Sequence, residues 1–134
     1  MENCIFCKIV NGEIPCNKVY EDSDNLAFLD INPSSMGHTM VISRTHSATI
    51  LELEDDKLQS LIIAVKKITK KIEERLQPAG FSFGINHGKV SGQSVPHLHI
   101  HIFPRYENDQ GGSVHSIVKH PGNKSVEEIY ELLK

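Results

Sequence analysis

The strongest periodic signal in the chain lies between Asp55 and Leu76. There Leu58, Leu61, Ile62, Val65, Ile68, Ile72 and Leu76 recur three or four residues apart. That spacing lays one apolar stripe along an α-helix. Asp55 and Asp56 suit the positive end of its dipole, and Pro78 and Gly80 stop it. Lys66, Lys67, Lys70 and Lys71 read as its solvated face. Elsewhere the hydrophobic period is two, over residues 18–21, 25–30, 38–43, 81–86 and 97–103, which predicts five strands. Asp22-Ser23-Asp24 turns between the first two, Asn32-Pro33-Ser34-Ser35 breaks the chain after the second, and Pro104 closes the fifth. Residues 4–10 read as a short helix or turn. Residues 109–124 look irregular, and Ser125 with Glu128 forms a capping box for a last helix through Leu133. The pattern predicts one α+β domain over residues 1–134. Its core spans about 4–106 and a C-terminal extension spans 107–134. A mostly antiparallel five-stranded sheet carries the long helix and a C-terminal helix.

Composition narrows the function classes. A length of 134 residues suits one domain with a real core, and a net charge of −3 offers no basic surface for nucleic acid or an anionic membrane. No apolar run approaches the roughly 18 residues that would cross a bilayer. The opening MENCIFCKIVNGE lacks the basic region, apolar stretch and cleavage site of a signal peptide, so the expectation is a cytoplasmic protein. Three cysteines argue against a disulfide framework. Cys4 and Cys7 stand as C-x-x-C, a spacing that means metal, redox chemistry or chance. Cys16 reads as a packing residue.

The candidate chemistry sits in PHLHIHIF, residues 96–103. Strand alternation puts His97, His99 and His101 on one face, as a row roughly 7 Å apart, and Leu98, Ile100 and Ile102 on the other. Three uses compete for such a row. One is a plain polar face. Another is a metal centre with an open position for water. The third is nucleophilic catalysis, in which a neutral imidazole attacks phosphorus while an acceptor fixes its other nitrogen. The preceding loop, NHGKVSGQSV, favours the third. Gly88 and Gly92 let backbone N–H groups approach an anion, and Gln93 and Ser94 add donors.

Asn86, Gly88, Gly92, Gln93, Val95, His97, His99 and His101, in the pattern N-x-G-x-x-x-G-Q-x-V-x-H-x-H-x-H, resemble the signature of the histidine triad (HIT) family. The stretch from Cys4 to His46 resembles the N-terminal half of its Hint branch, in the bacterial type with an N-terminal C-x-x-C. The resemblance implies a HIT-like fold, a homodimer, and release of nucleoside monophosphate from nucleotide–P–X substrates. It makes His99 the nucleophile, with His101 contacting the phosphate and His38 in the same cluster. Ser94 and Gln93 then hold phosphate oxygens or the leaving group. Asn86 and Val95 join the nucleotide-binding wall. Asp30 takes the ribose hydroxyls, Leu29 and Ile31 flank the purine, and Phe6 and Ile9 complete the slot. Members with this C-x-x-C resemble the galactose-phosphate uridylyltransferases, which implies a structural zinc on Cys4, Cys7, His46 and His97 that the chemistry itself does not need. The Trp-Pro-Pro-Gly ending of eukaryotic Hint proteins is missing, so their leaving-group selectivity does not carry over.

Four functions are therefore weighed. The first is a hydrolase of AMP or GMP phosphoramidates and acyl-nucleotides through a nucleotidyl-histidine. The second is a dinucleoside polyphosphate hydrolase using the same residues, with the tail deciding between the two. The third is a non-catalytic purine-nucleotide-binding regulator. The fourth is a hydrolytic zinc enzyme with the metal on the triad.

Overall fold

A computed structural model describes residues 3–134. Helix α1 (Ile5–Val10) is followed by strands β1 (Lys18–Glu21), β2 (Asn25–Leu29) and β3 (Thr39–Ser43). The long helix α2 (Asp55–Leu76), strands β4 (Gly80–Gly84) and β5 (His99–Arg105), and helix α3 (Val126–Leu133) complete the chain. The five strands form one sheet in the order β1-β2-β3-β5-β4, and every neighbouring pair is antiparallel. The α+β architecture expected from periodicity is the one observed.

Each sheet face has its own cover. Ala27, Val41, Ile100 and Ile102 point to the side where Leu61, Ala64, Val65, Ile68 and Ile72 of α2 are buried. Burying each large aliphatic in that seam contributes roughly 1.5–3 kcal/mol. The alternate residues Leu26, Phe28 and Ile42 point the other way and pack with Cys4 and Phe6 of the first helical segment. His99 and His101 share this second face, so α2 holds the back of the strand that carries them.

Local chemistry sets the turns. The Asp22 carboxylate accepts the N–H groups of Asp24 and Asn25 at 2.8 and 2.7 Å, which closes the β1–β2 hairpin. Gly37, at φ +88°, precedes β3 in a backbone conformation that favours glycine.

Several expected boundaries move. Strand β2 ends at Leu29 and β3 starts at Thr39, leaving Asp30 and His38 at the mouth of the connecting turn. Strand β4 starts at Gly80 and stops at Gly84. Strand β5 starts at His99, not at residue 97, and runs through Pro104 to Arg105. The proline fits because its backbone nitrogen faces β3, which has already ended at Thr39 opposite Ile102, so no ladder bond is lost. Ile62 and Leu76 stand on the open side of α2, about half exposed, rather than in its seam. Single turns of 3-10 helix at Lys89–Ser91 and Val114–Ser116 lie in segments expected to be irregular.

Candidate active site

The histidine row is split between two environments. His97 sits just before β5 and is fully buried. Its Nδ1 lies 3.4 Å from Cys4 Sγ and 3.6 Å from Cys7 Sγ, and Cys7 Sγ lies 3.2 Å from His46 Nδ1. All four ligand atoms fall within 4.8 Å of one another. Around a tetrahedral zinc, with bonds of about 2.3 Å to sulfur and 2.0 Å to nitrogen, sulfur and nitrogen ligands stand roughly 3.5 Å apart. The cluster has that spacing. His97 Nε2–H donates to the Ser43 carbonyl at 2.8 Å, which leaves the Nδ1 lone pair aimed at the sulfurs. Metal-bound histidines carry such an outer partner as a rule. Burial holds the His97 imidazole below its usual range, which keeps it neutral. Burial, then the neighbouring Cys4, pushes the Cys7 thiol up. The donor set therefore fits a cation, which would reverse that thiol shift.

The other end is a relay. The Ser34 N–H donates to His38 Nδ1 at 3.1 Å. That fixes the proton of neutral His38 on Nε2, which lies 2.9 Å from His101 Nδ1. His101 Nδ1 is thus the acceptor, and its own proton sits on Nε2. Burial, followed by repulsion from His99 and His38, holds His101 at a pKa of about 4. Burial lowers His38 as well, against the pull of Asp30. Both rings are neutral near pH 7. Between the two ends, His99 Nδ1 lies 2.7 Å from the His97 carbonyl and donates to it. That leaves the His99 Nε2 lone pair free, the arrangement a nucleophilic imidazole needs.

Other expected site residues divide into those gathered here and those used elsewhere. Phe6 meets the His99 ring edge-on at 5.1 Å, and Ile9 and Val95 pack in the same cluster. Leu29 is half-buried and Ile31 exposed, both flanking Asp30 outside that cluster. Asp30 Oδ1 accepts the Asn32 N–H at 2.8 Å, and Oδ2 lies 3.7 Å from His38 Nε2. Asn86 lines a cleft of about 540 Å³ together with His38 and His101. Gln93 is committed to the loop itself. It donates to the carbonyls of Ala48 and Val95 at 2.8 and 3.1 Å, and accepts the Gly88 N–H at 2.9 Å. Ser94 is exposed. The relay's anchor, the Ser34 N–H, carries no sequence signal because it is a backbone group. Phe103, not among the expected site residues, continues the alternating row and stacks on His101 at 5.4 Å and 11°.

A family model described as HIT domain matches residues 11–108. A HIT-like protein of Methanocaldococcus jannaschii is 51% identical over 106 residues, covering 79% of this chain and 81% of its own. An adenosine 5′-monophosphoramidase of Schizosaccharomyces pombe is 43% identical over 109 residues, covering 81% and 79%. The crystal structure of a HIT family member from Bacillus subtilis superposes with a TM-score of 0.85 at 41% identity, covering 97% and 92%.

Proposed function

The chain belongs to the HIT domain family, and from that premise we propose that it is a nucleotide hydrolase working through a covalent nucleotidyl-His99. Its substrates are purine nucleoside phosphoramidates or acyl-nucleotides. The observation that carries this reading is the proton placement. The backbone at His97 and Ser34 leaves His99 Nε2 bare and gives His101 Nε2 a proton. In the reaction, the His99 Nε2 lone pair forms a bond to phosphorus as the P–X bond breaks. A carboxylate leaves as it is, and an amine takes up one proton from water. Water then cleaves the P–N bond, releasing nucleoside monophosphate and restoring His99. His101 Nε2–H donates to a phosphoryl oxygen as charge develops there, with His38 holding its tautomer. Ser94 supplies a second donor, while Gln93 braces the loop. Asp30 accepts from the ribose, and Leu29 and Ile31 flank the base, with Phe6, Ile9 and Val95 behind it.

A zinc ion on Cys4, Cys7, His46 and His97 would supply structural cross-linking away from the reacting atoms. We further propose a cytoplasmic homodimer. Strand β4 is an open sheet edge, and its Phe83 and the following Ile85 are exposed, as are Ile62 and Ile63 of α2. A sheet edge flanked by exposed apolar side chains is better covered by a second copy than left to solvent.

Turnover of adenosine 5′-phosphoramidate tests the chemistry. Wild type releases AMP, and His99→Ala loses at least roughly 10⁴-fold in kcat. A His99→Ala rate within tenfold of wild type overturns the covalent mechanism. Tight AMP binding with no turnover by wild type overturns the enzyme.

A further inference from the structure

The cluster of Cys4, Cys7, His46 and His97 is sealed on one side only. Cys4 and His97 are 5% and 0% exposed, and the Phe6 ring meets that of His97 edge-on at 5.9 Å. Cys7 and His46 are half-buried. Both line a second cleft, of about 630 Å³, that shares no residue with the one beside His101. A small reagent entering that cleft meets the Cys7 sulfur before the buried Cys4 sulfur. The Cys7 N–H donates to Cys4 Sγ at 3.4 Å, and the two sulfurs lie within 4.8 Å of one another. Rotation about the side-chain bonds is enough to join them. An accessible thiol beside a second, resolving thiol is the arrangement of a peroxide-sensitive pair.

The segment that carries His46 also holds the glycine loop. One residue on, the Ser47 carbonyl accepts the Leu98 N–H at 2.7 Å, inside the histidine row. Two residues on, the Ala48 carbonyl accepts the Gln93 side chain at 2.8 Å. The Gln93 side-chain oxygen accepts the Gly88 N–H at 2.9 Å in turn. Residues 46–48 therefore stand between the sulfur cluster and the loop that faces the phosphate. Cys7 Sγ, at 3.2 Å, is the one hydrogen-bond partner of the His46 ring among the described residues. What happens at the Cys7 sulfur is thus felt at His46, and through Ala48 at Gln93.

We propose that Cys7 is an oxidation site for hydrogen peroxide, and that its disulfide with Cys4 is a reversible switch that empties the metal cluster and slackens the glycine loop. This rests on the zinc reading of the cluster and, for the loop, on the nucleotide-binding reading above. The Cys7 thiolate attacks one peroxide oxygen: an S–O bond forms, the O–O bond breaks and hydroxide leaves. The Cys4 thiolate then attacks the Cys7 sulfur: the S–S bond forms, the S–O bond breaks and a second hydroxide leaves. Two thiolates give up two electrons, and the peroxide takes both. The disulfide leaves only the two imidazoles, too few for a structural zinc. His46 then loses its tie, and residues 46–48 hold Gln93 less firmly. Nothing at His99 changes, so the switch acts on nucleotide binding.

The test treats the zinc-loaded protein with hydrogen peroxide. Zinc is followed with a chelating dye, thiols by alkylation and mass spectrometry, and AMP affinity by calorimetry. One zinc leaves for each Cys4–Cys7 disulfide formed, and AMP binding weakens at least roughly fivefold. A thiol reductant with added zinc restores both. Cys4→Ser leaves Cys7 without a resolving thiol, so a sulfenic acid persists there and is trapped by dimedone. In Cys7→Ser the buried Cys4 is not trapped. Cys16→Ser, outside the cluster, responds as wild type does. Free Cys4 and Cys7 thiols in wild type, at peroxide levels that oxidise free cysteine, overturn the oxidation site, as does a disulfide through Cys16. Unchanged AMP affinity in the disulfide form overturns the switch. A protein that forms the disulfide but takes up no zinc overturns the metal reading alone. A protein that forms the disulfide but binds no AMP in either state overturns the nucleotide reading alone.

Discussion

His97 and His101 stand four residues apart in one alternating row, face the same side of the sheet, and keep different company. His97 is sealed among two sulfurs and a second imidazole, with its outer nitrogen on the Ser43 carbonyl. His101 is half-buried against His38 and Phe103 and opens onto a cleft. The residue type is the same, but the sealed end presents a bare Nδ1 to soft ligands and the open end presents a protonated Nε2 to a substrate. Histidine's role here is set by which nitrogen the surroundings occupy. His99 lies between the two and borrows from the sealed end: the backbone carbonyl of His97 holds its proton.

The comparison breaks most visibly at the sealed end. If the proposed zinc sits on Cys4, Cys7, His46 and His97, stripping it with a strong chelator, or replacing Cys4 and Cys7 by alanine, removes a cross-link between α1, the β3–α2 connection and the start of β5. The expected stability loss is about 3 kcal/mol or more, read as a Tm drop of about 10 °C. Well below that Tm, phosphoramidate turnover stays within tenfold of the untreated protein. If turnover disappears while the fold persists, the metal belongs to the chemistry and the division between the two ends is wrong.

His38→Phe acts on the open end alone. It fills the same space and removes the donor that fixes His101. The expected result is a kcat loss of roughly 10²-fold with little change in Tm. An unchanged kcat means that the His101 tautomer needs no relay.

The smallest effect is in pH dependence. His101 is held at about 4, and burial also lowers His38, both from an ordinary value of 6.5. The unfolded chain therefore binds more protons than the folded one between those values. Stability is complete above about pH 6.5 and falls as pH drops toward 4. Tm measured across that window should slope less steeply in His101→Gln than in wild type. An identical slope places the proton uptake elsewhere.

Much of this was legible in the chain. The three-to-four spacing from Leu58 to Ile72 dictates α2, and period-two alternation dictates which residues of 98–102 face it, because both follow from backbone geometry alone. The shared face of His97, His99 and His101 was readable, but that Phe103 continues it and stacks on His101 emerged only from the structure. Limits between elements were less so: Pro104 reads as a stop, and it sits inside β5 only because β3 ends first. Gln93 reads as a free donor, yet its amide is spent on Ala48 and Val95, a use that depends on where a segment 45 positions away lies.

What the sequence alone determined is the set of groups, two thiols, a row of imidazoles and a glycine loop, together with the α+β frame that local periodicity imposes. What only the tertiary structure decided is the state of each imidazole. Cys4 reaches His97 across 93 positions and His38 reaches His101 across 63. Proton placement on a neutral ring depends on the hydrogen-bond partner at 3 Å or so, and folding, not spacing along the chain, supplies that partner.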